Sequence, residues 1–435
     1  MRCTYLSIIL ALASAASAFG QGPLPTVKLT LQDAEAQALK DHPQVLAAQN
    51  AASAMGQQVV QAKAPYFPVV AGDVTGSAAN QQARIGAGFL TDSRIFDRFG
   101  QGVNISQLIT DSGRTSNLVA TAKLQAGASQ QTYQATRYNV LLRVNQAYYN
   151  ALRAQATIKV AEQTVAARQL IVDQITALAN NKLRSELDVS FVKVSLSQAK
   201  LLLIQAQDQQ QEAFAELTRA IGAQQNANYV LSDQPLPPSP PPAPESLVAQ
   251  AYAARPELAG LRMARDAAYK FERAERDLSY PTVSLVGVGG YIPYLDQITM
   301  PHTIPNEYAG AAVDIHIPLF NGHLFTARRE EAHYRALESD QRIRDAEDTI
   351  ARDVRTAWAS TSTAYQRLDV AAQMLRQANL ALSLAQGRYD LGLSTIVELT
   401  QAQLNQTQAE IENLSARYDY QGQYAALQYT LGALR

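Results

Sequence analysis

The chain contains two ladders of small or apolar residues with the same spacing, and this repeat constrains the fold more than any other feature. The first ladder runs from Val140 to Ala179 in alternating steps of four and three residues, and the second runs from Ile350 to Tyr389. Each position of the second lies 210 residues after its counterpart, and Arg168 is the one clear break. A sustained 3.5-residue period is typical of a coiled-coil seam, and the many alanines predict closely packed helices.

Each ladder lies in a helical segment that is longer than a globular domain requires. The segments run from Gly113 to about Asn180 and from Gly322 to about Asp390, which at 1.5 Å per residue is about 100 Å of helix. A break and a second predicted helix follow each segment, over 186–221 and 396–431. Each half of the chain is therefore predicted to contain a helix, a strand pair, a very long helix, a turn and a shorter helix.

The composition of particular segments sets the predicted domain boundaries. Residues 1–18 combine a basic residue, an apolar core and a small-residue cleavage site, the pattern of a secretory signal peptide. We predict a first structural repeat over 19–231, a second over 247–435, and a proline-rich extended linker over 232–246. The only cysteine, Cys3, lies ahead of the apolar core of the signal peptide, so we expect no lipid attachment to it.

The charge and hydropathy of the chain limit the partners and the kind of membrane contact that it can have. Lys and Arg number 37 against 38 for Asp and Glu, which gives a formal net charge of -1 and no basic surface to attract nucleic acid. Beyond the signal peptide, no stretch reaches the ~18 consecutive apolar residues of a membrane helix, so any membrane crossing is predicted to use β-strands.

Four short segments alternate apolar and polar residues in the manner of β-strands. They are predicted at about 68–78, 102–109, 282–292 and 308–319. Their lengths suit outer-membrane strands with an apolar face toward lipid and a polar face toward a lumen, and the polar face carries Asn104, Asp314 and His316. Four strands cannot close a barrel, and lipid does not tolerate open sheet edges, so we expect the chain to oligomerise. The alternative is a soluble α+β protein whose strands cap a helical bundle.

An aromatic–proline dipeptide precedes the first strand of each half. These dipeptides are Phe67-Pro68 and Tyr280-Pro281. Because proline ends a helix and aromatic rings are enriched at membrane interfaces, we predict that both mark the membrane boundary. The segments 80–99 and 293–306, between paired strands, are predicted to be loops outside the membrane.

At this point the sequence resembles a known family, the TolC-like outer-membrane factors, which are the exit ducts of bacterial efflux pumps and type I secretion systems. "PLFNG" (318–322) resembles the family signature before the long helix, and "GLSTIVELTQAQ" (392–403) resembles its pattern after the periplasmic turn. The resemblance extends from Leu29 to Leu434. It implies a mainly α fold with a membrane β-barrel, in which a trimer forms a 12-stranded barrel continued by a 12-helix α-barrel through the periplasm.

The resemblance also implies a gate at the periplasmic helix ends. It places two family aspartates at Glu398 and Gln401, a family arginine at Ser394 and a gate tyrosine at Tyr389, and it matches Asp188 to the acidic residue of the first turn. Glu398 keeps one of the two acidic positions, while Gln401 and Ser394 replace the second acidic residue and the arginine. We therefore expect Tyr389, Glu398 and Asp188 to define the constriction in place of an arginine–carboxylate link.

The two acidic residues have a second interpretation that does not involve a gate. Three copies of Glu398 around one axis would favour cations and make closure depend on pH. A carboxylate at a helix N-terminus is also stabilised by the helix dipole without any role in a pore. Both interpretations stay open for Glu398, and the cap is favoured for Asp188.

Other residues that attract notice have structural explanations. The histidines show no metal-ligand spacing, and the sequence lacks a nucleophile elbow or phosphate loop, so we expect no enzyme activity, metal or cofactor. Gly287, Gly289 and Gly290 lie inside a strand pattern, which favours a bend or close strand packing over a dinucleotide site. Trp358 lies beside the second ladder and is predicted to pack there.

The function predicted from these features is passive transport. The resemblance implies a homotrimer in outer-membrane lipid that works with a periplasmic adaptor (membrane fusion protein) and an inner-membrane pump of the RND, ABC or MFS type. The competing function is a periplasmic coiled-coil scaffold or adaptor that never enters the membrane.

Overall fold

The computed structural model describes most of the chain. The described residues are 26–78, 84–85, 93–94, 98–223, 228–240, 243–295 and 306–434. The predicted signal peptide lies outside them.

Two helices of 67 residues each dominate the fold, and each is about 100 Å long. Their bounds agree with the segments predicted from the ladders to within two residues. No helix in the described part of the chain is long and apolar enough to cross a membrane. The α-helices are α1 Leu31–Asp41, α2 Pro43–Lys63, α3 Arg114–Asn180, α4 Glu186–Ile221, α5 Glu245–Ala254, α6 Pro256–Asp277, α7 Leu324–Asp390 and α8 Ile396–Thr430.

The ladder residues form the seams between these helices. Every ladder position on α3 and α7 is buried or half-buried. Helix α3 packs against α4, α6 and α8, and α7 packs against α6 and α8. Small side chains such as Ala151, Ala161 and Ala371 let the helix axes approach closely.

The strands in the described ranges form one four-stranded antiparallel sheet and two small pairs. The large sheet has the order β2-β5-β7-β8, so β2 and β8 are its edges, and the parallel pair is β1-β6. The strands are β1 Thr26–Leu29, β2 Val69–Ser77, β3 Arg84–Ile85, β4 Ser93–Arg94, β5 Arg98–Thr110, β6 Asn228–Leu231, β7 Thr282–Leu295 and β8 Glu307–His316.

Two strands of the large sheet extend into segments predicted to be loops, and the short pair β3-β4 lies wholly within one of them, 80–99. Strand β5 begins at Arg98 and β7 continues to Leu295, because Phe99 pairs with Tyr294 and prolongs the ladder beyond both predicted ends. Strand β8 instead ends at His316, three residues before the predicted end, since Pro318 lacks the N–H that a strand pair needs.

Glycine in the sheet makes room for one aromatic side chain. The ring of Tyr308 on β8 lies across β7 and β5, over Gly290 and Gly102. A Cβ at Gly290 would lie 2.5 Å from both Gln101 O and Tyr308 Oη. Close strand packing is therefore the role of this glycine.

The pair β1-β6 is absent from the sequence prediction. Each strand has only four residues, too few for a period to show. Tyr148 on α3 is fully buried beneath the pair, where its Oη lies 3.0 Å from Leu29 O and accepts a hydrogen bond from Ser232 N at 3.1 Å. This contact fixes the start of the first repeat and the start of the linker to the middle of α3.

His42 caps the start of α2, and its charge state is linked to stability. Its Nδ1 accepts a hydrogen bond from Gln44 N at 3.2 Å, which only the unprotonated nitrogen can do. Burial lowers the pKa of His42 below its usual 6.5, and the nearby Arg143 and Arg219 lower it further. The unfolded chain therefore binds this proton more readily than the folded protein does.

We predict that the contribution of the unprotonated His42 cap to the free energy of unfolding is fully present above pH 6.5. It is lost as the pH falls through the lower pKa of folded His42. The His42→Asn variant keeps a preferred N-cap without a titrating group. Thermal unfolding of both proteins above and below pH 6.5 should show a larger loss of Tm in the wild type. Equal losses would exclude His42 as a contributor.

Candidate functional site at the helix turns

The turns that join α3 to α4 and α7 to α8 lie side by side at one end of the molecule. An apolar cluster holds the two helix pairs together just inside the turns. Its buried members are Val172, Ile175, Val192, Leu196, Ala385, Tyr389, Ile396 and Leu399. This cluster fixes the polar residues of one turn against those of the other.

Tyr389 and Arg184 form the direct link between the two turns. The guanidinium carbon of Arg184 lies 4.3 Å from the centre of the Tyr389 ring, a cation–π geometry. Arg184 Nη2 also donates a hydrogen bond to Tyr389 O at 3.3 Å. Burial raises the pKa of Tyr389, an effect that Arg184 opposes and that Asp188 and Asp390 reinforce. The phenol therefore stays neutral and offers its ring face to the cation.

Glu398 lies in the first turn of α8 and forms an ion pair. Its N–H donates to Thr395 Oγ1 at 3.4 Å, which makes Thr395 the N-cap of the helix. The Glu398 carboxylate does not return to the cap, because its Oε1 lies 3.4 Å from Arg388 Nε. Arg388 also donates to Leu393 O at 3.4 Å. An arginine–carboxylate ion pair therefore forms within the α7–α8 turn, from a position other than Ser394, where the resemblance implies the family arginine.

The remaining predicted gate residues have local partners. Asp188 Oδ2 accepts from Ser185 N at 3.4 Å and completes a capping box at the start of α4, as the cap interpretation expects. Gln401 is exposed and donates to Asn405 Oδ1 at 2.9 Å. The Oγ atom of Ser394 is buried and has no hydrogen-bond partner among the described residues.

Neither arginine of this site, Arg184 or Arg388, is among the residues predicted from the sequence. Arg184 lies 210 positions before Ser394, where the family resemblance implies an arginine. Applying the offset of the two ladders to Ser394 identifies Arg184, so the signal was present in the repeat. Arg388 carried no such signal, because its role depends on how the α7–α8 turn folds back on itself.

The polar residues of the large sheet lie mainly on one face, which also carries Val286 and Val288, and the other face is mostly apolar. Asn104, Asp314 and His316 share a face by the strand register, and Asn104 Nδ2 donates to Asp73 Oδ2 on the same face. The opposite face carries Val103, Ile105, Ala309, Ala311, Val313 and Ile315. Phe67 and Tyr280 are exposed next to the first residues of β2 and β7.

A buried acidic cluster lies where the helices meet this sheet. Glu275 on α6 has a side chain that is only 2% exposed, with its Oε2 2.7 Å from Arg328 Nε and its Oε1 3.9 Å from Arg114 Nη2. Asp277 accepts from Asn117 Nδ2 at 2.7 Å. These contacts join α6 to the first turns of α3 and α7.

Comparison with known proteins gives the same architecture. The chain is 22% identical to the outer membrane protein TolC of Salmonella enteritidis over 76% of its own length and 68% of that protein. It is 24% identical to the protein CyaE of Bordetella pertussis, with 80% of this chain and 73% of CyaE covered. The Campylobacter jejuni CmeC outer membrane channel superposes with a TM-score of 0.77 at 16% identity, over 99% of this chain and 94% of CmeC.

A family model matches nearly the whole described chain in two blocks. Residues 35–223 and 247–433 match the model of the outer membrane efflux protein family. The blocks contain both long helices, all four strands of the large sheet and both turns of the candidate gate. The chain therefore belongs to the outer membrane efflux protein family, the TolC-like outer-membrane factors, whose members are outer-membrane channels that extend into the periplasm.

Proposed function

We propose that three copies of this chain form the exit duct of a tripartite efflux pump or a type I secretion system. An inner-membrane pump supplies the substrate, and a periplasmic adaptor opens the duct. Transport through the duct itself is passive. The family places the chain among outer-membrane efflux and secretion channels, and the trimer, the gate and the partners are parts of the proposal.

The observation that carries the proposal is the large sheet with its two unpaired edges. Strands β2 and β8 are the edges of the sheet, so each leaves a row of backbone N–H and C=O groups without a strand partner among the described residues. Such edges cannot remain open in lipid. If β8 of one copy pairs with β2 of the next, four strands from each of three copies close a 12-stranded barrel.

The two faces of the sheet suit the two environments of such a barrel. Apolar side chains including Val103, Val313 and Ile315 would face lipid, while Asn104, Asp314 and His316 would line the lumen. Phe67 and Tyr280 would lie at the membrane boundary, where α2 and α6 give way to strands. Helices α3, α4, α7 and α8 of three copies would continue the duct as a 12-helix tube.

The contacts between the turns support a gate at the far end of this tube. Arg184 on Tyr389 ties one helix pair to the other within a copy, and Arg388 with Glu398 stabilises the α7–α8 turn. Separation of the turns would break the Arg184–Tyr389 contact and move the helix ends apart, which would widen the opening of the tube. An adaptor that binds the separated form more tightly than the closed form would then open the duct.

Cell fractionation and bilayer recording test this proposal together. The full-length chain should be recovered in the outer-membrane fraction, run as a trimer in detergent and form ion-conducting channels in planar bilayers. Recovery as a monomer in the soluble periplasm would contradict the proposal and favour a periplasmic scaffold or adaptor. A membrane-bound trimer that never conducts would contradict the duct while leaving the trimer intact.

A further inference from the structure

Arg168, the one break in the first ladder, is a buried charge without a partner. Its side chain lies in the seam of α3 and is only 5% exposed. Within the described residues, its guanidinium has no hydrogen bond and no ion pair. A position that should hold a small or apolar residue therefore holds a cation, at a cost in desolvation.

Arg168 lines an open cavity of about 600 Å³ between α3, α4 and α8, whose wall mixes polar and apolar side chains. Ser195 on α4 is also 5% exposed and lines the same cavity, and its Oγ atom has no partner among the described residues. The cavity is also lined by amide side chains that can donate hydrogen bonds, namely Gln198, Gln401, Asn405 and Gln408. Thr407 lines it too, but its hydroxyl already donates to Gln403 O at 3.1 Å.

Among the described residues of the cavity wall, one is acidic, and that residue is already paired. Glu412 Oε1 lies 2.7 Å from Arg367 Nη2 on α7. The wall therefore offers Arg168 no carboxylate that is free to neutralise it. Burial lowers the pKa of Arg168 to about 10, so the side chain still carries its charge at neutral pH.

The second half of the chain shows that the seam does not require this arginine. The position that corresponds to Arg168 in the second ladder is Ala378, which is half-buried. An alanine therefore meets the packing requirement at this level of the helix pair. The arginine brings a charge and a donor set that packing does not explain.

We propose that Arg168 and Ser195 bind one small oxyanion, of the sulfate or phosphate type, in the cavity between α3, α4 and α8. The planar guanidinium can donate two parallel hydrogen bonds to such an anion, and the Ser195 hydroxyl can donate a third. The bound anion neutralises Arg168 and links α3 and α4 to α8. This site lies within one chain and does not depend on the proposed duct function.

Equilibrium dialysis of the detergent-solubilised protein against radiolabelled sulfate, at constant ionic strength, tests the proposal. We expect one sulfate per chain in the wild type. Arg168→Met keeps an unbranched side chain without charge and should weaken binding about tenfold or more. Ser195→Ala keeps the arginine and should weaken binding about threefold to tenfold. Arg376→Met, which removes an exposed arginine from α7, is the matched control and should bind as the wild type does.

Absence of stoichiometric sulfate or phosphate binding in the wild type would overturn the proposal. So would equal affinities in wild type and Arg168→Met, because the anion would then lie elsewhere. If Arg168→Met does not fold, the sulfate affinity of Ser195→Ala tests the proposal in its place. An affinity equal to that of the wild type would overturn the proposal. The mass of the complex, measured on the same samples, reports on the trimer separately.

Discussion

Replacing Arg184 by alanine is expected to open the channel. The Arg184–Tyr389 contact is half-buried and joins the two turns, so its loss should cost the closed state about 1 kcal/mol per copy. Three copies that open together would lose about 3 kcal/mol, which changes the ratio of open to closed channels on the order of a hundredfold. Single-channel recording in planar bilayers should therefore show longer and more frequent open states.

Two comparison variants make this test specific. Arg335→Ala removes an exposed α7 arginine that is paired with Glu331, far along the helix from the turns, and should leave conductance unchanged. Glu398→Ala should have a smaller effect than Arg184→Ala, because the Arg388–Glu398 pair is exposed and such pairs contribute about 0–1 kcal/mol. If Arg184→Ala conducts like the wild type, this contact does not hold the channel closed.

Replacing Glu275 by alanine is expected to weaken the joint between the helices and the sheet. The carboxylate is 2% exposed, and its removal leaves Arg328 and Arg114 without their shared counter-ion. Breaking a buried pair costs about 3–5 kcal/mol, but both arginines are partly solvated, so we expect a loss of about 2–3 kcal/mol. The Tm of the detergent-solubilised protein, measured at a fixed scan rate, should fall by several degrees.

The matched control for this prediction is Glu331→Ala. Glu331 forms an exposed pair with Arg335 on the same helix as Arg328, so its removal should shift the Tm little. Equal shifts in Glu275→Ala and Glu331→Ala would show that burial of Glu275 adds nothing to the stability of the joint.

The long helices could be predicted almost to the residue because their signal is periodic and local. Twelve ladder positions recur in each half, from Val140 to Ala179 and from Ile350 to Tyr389, and Gly113 and Gly322 lie just before α3 and α7. The four strands of the large sheet were found for the same reason. Their ends were not, because the pairing of Phe99 with Tyr294 depends on a neighbour far along the chain.

The candidate gate was predicted only in part, for a different physical reason. Tyr389 was identified because it lies on the ladder and at a family position, and the structure shows its ring against the other turn. The family pattern places an arginine in the second half, at the position of Ser394, whereas this chain carries one at the corresponding position of the first half, Arg184. Inspecting position 394 alone therefore does not identify it. The β1-β6 pair had no detectable pattern, since a four-residue strand is too short to display one.

Disulfide trapping between copies tests the proposed trimer most directly. The only cysteine of the sequence, Cys3, lies in the predicted signal peptide, so introduced pairs report without interference once it is removed. One cysteine replaces Val74 on edge strand β2, and the second replaces in turn Ala309, Ala311, Val313 and Ile315, which share its sheet face on edge strand β8. We predict that at least one pair yields a covalently closed trimer on oxidation in membranes. If all four pairs remain monomeric while the protein stays in the outer membrane, edge pairing between three copies is contradicted.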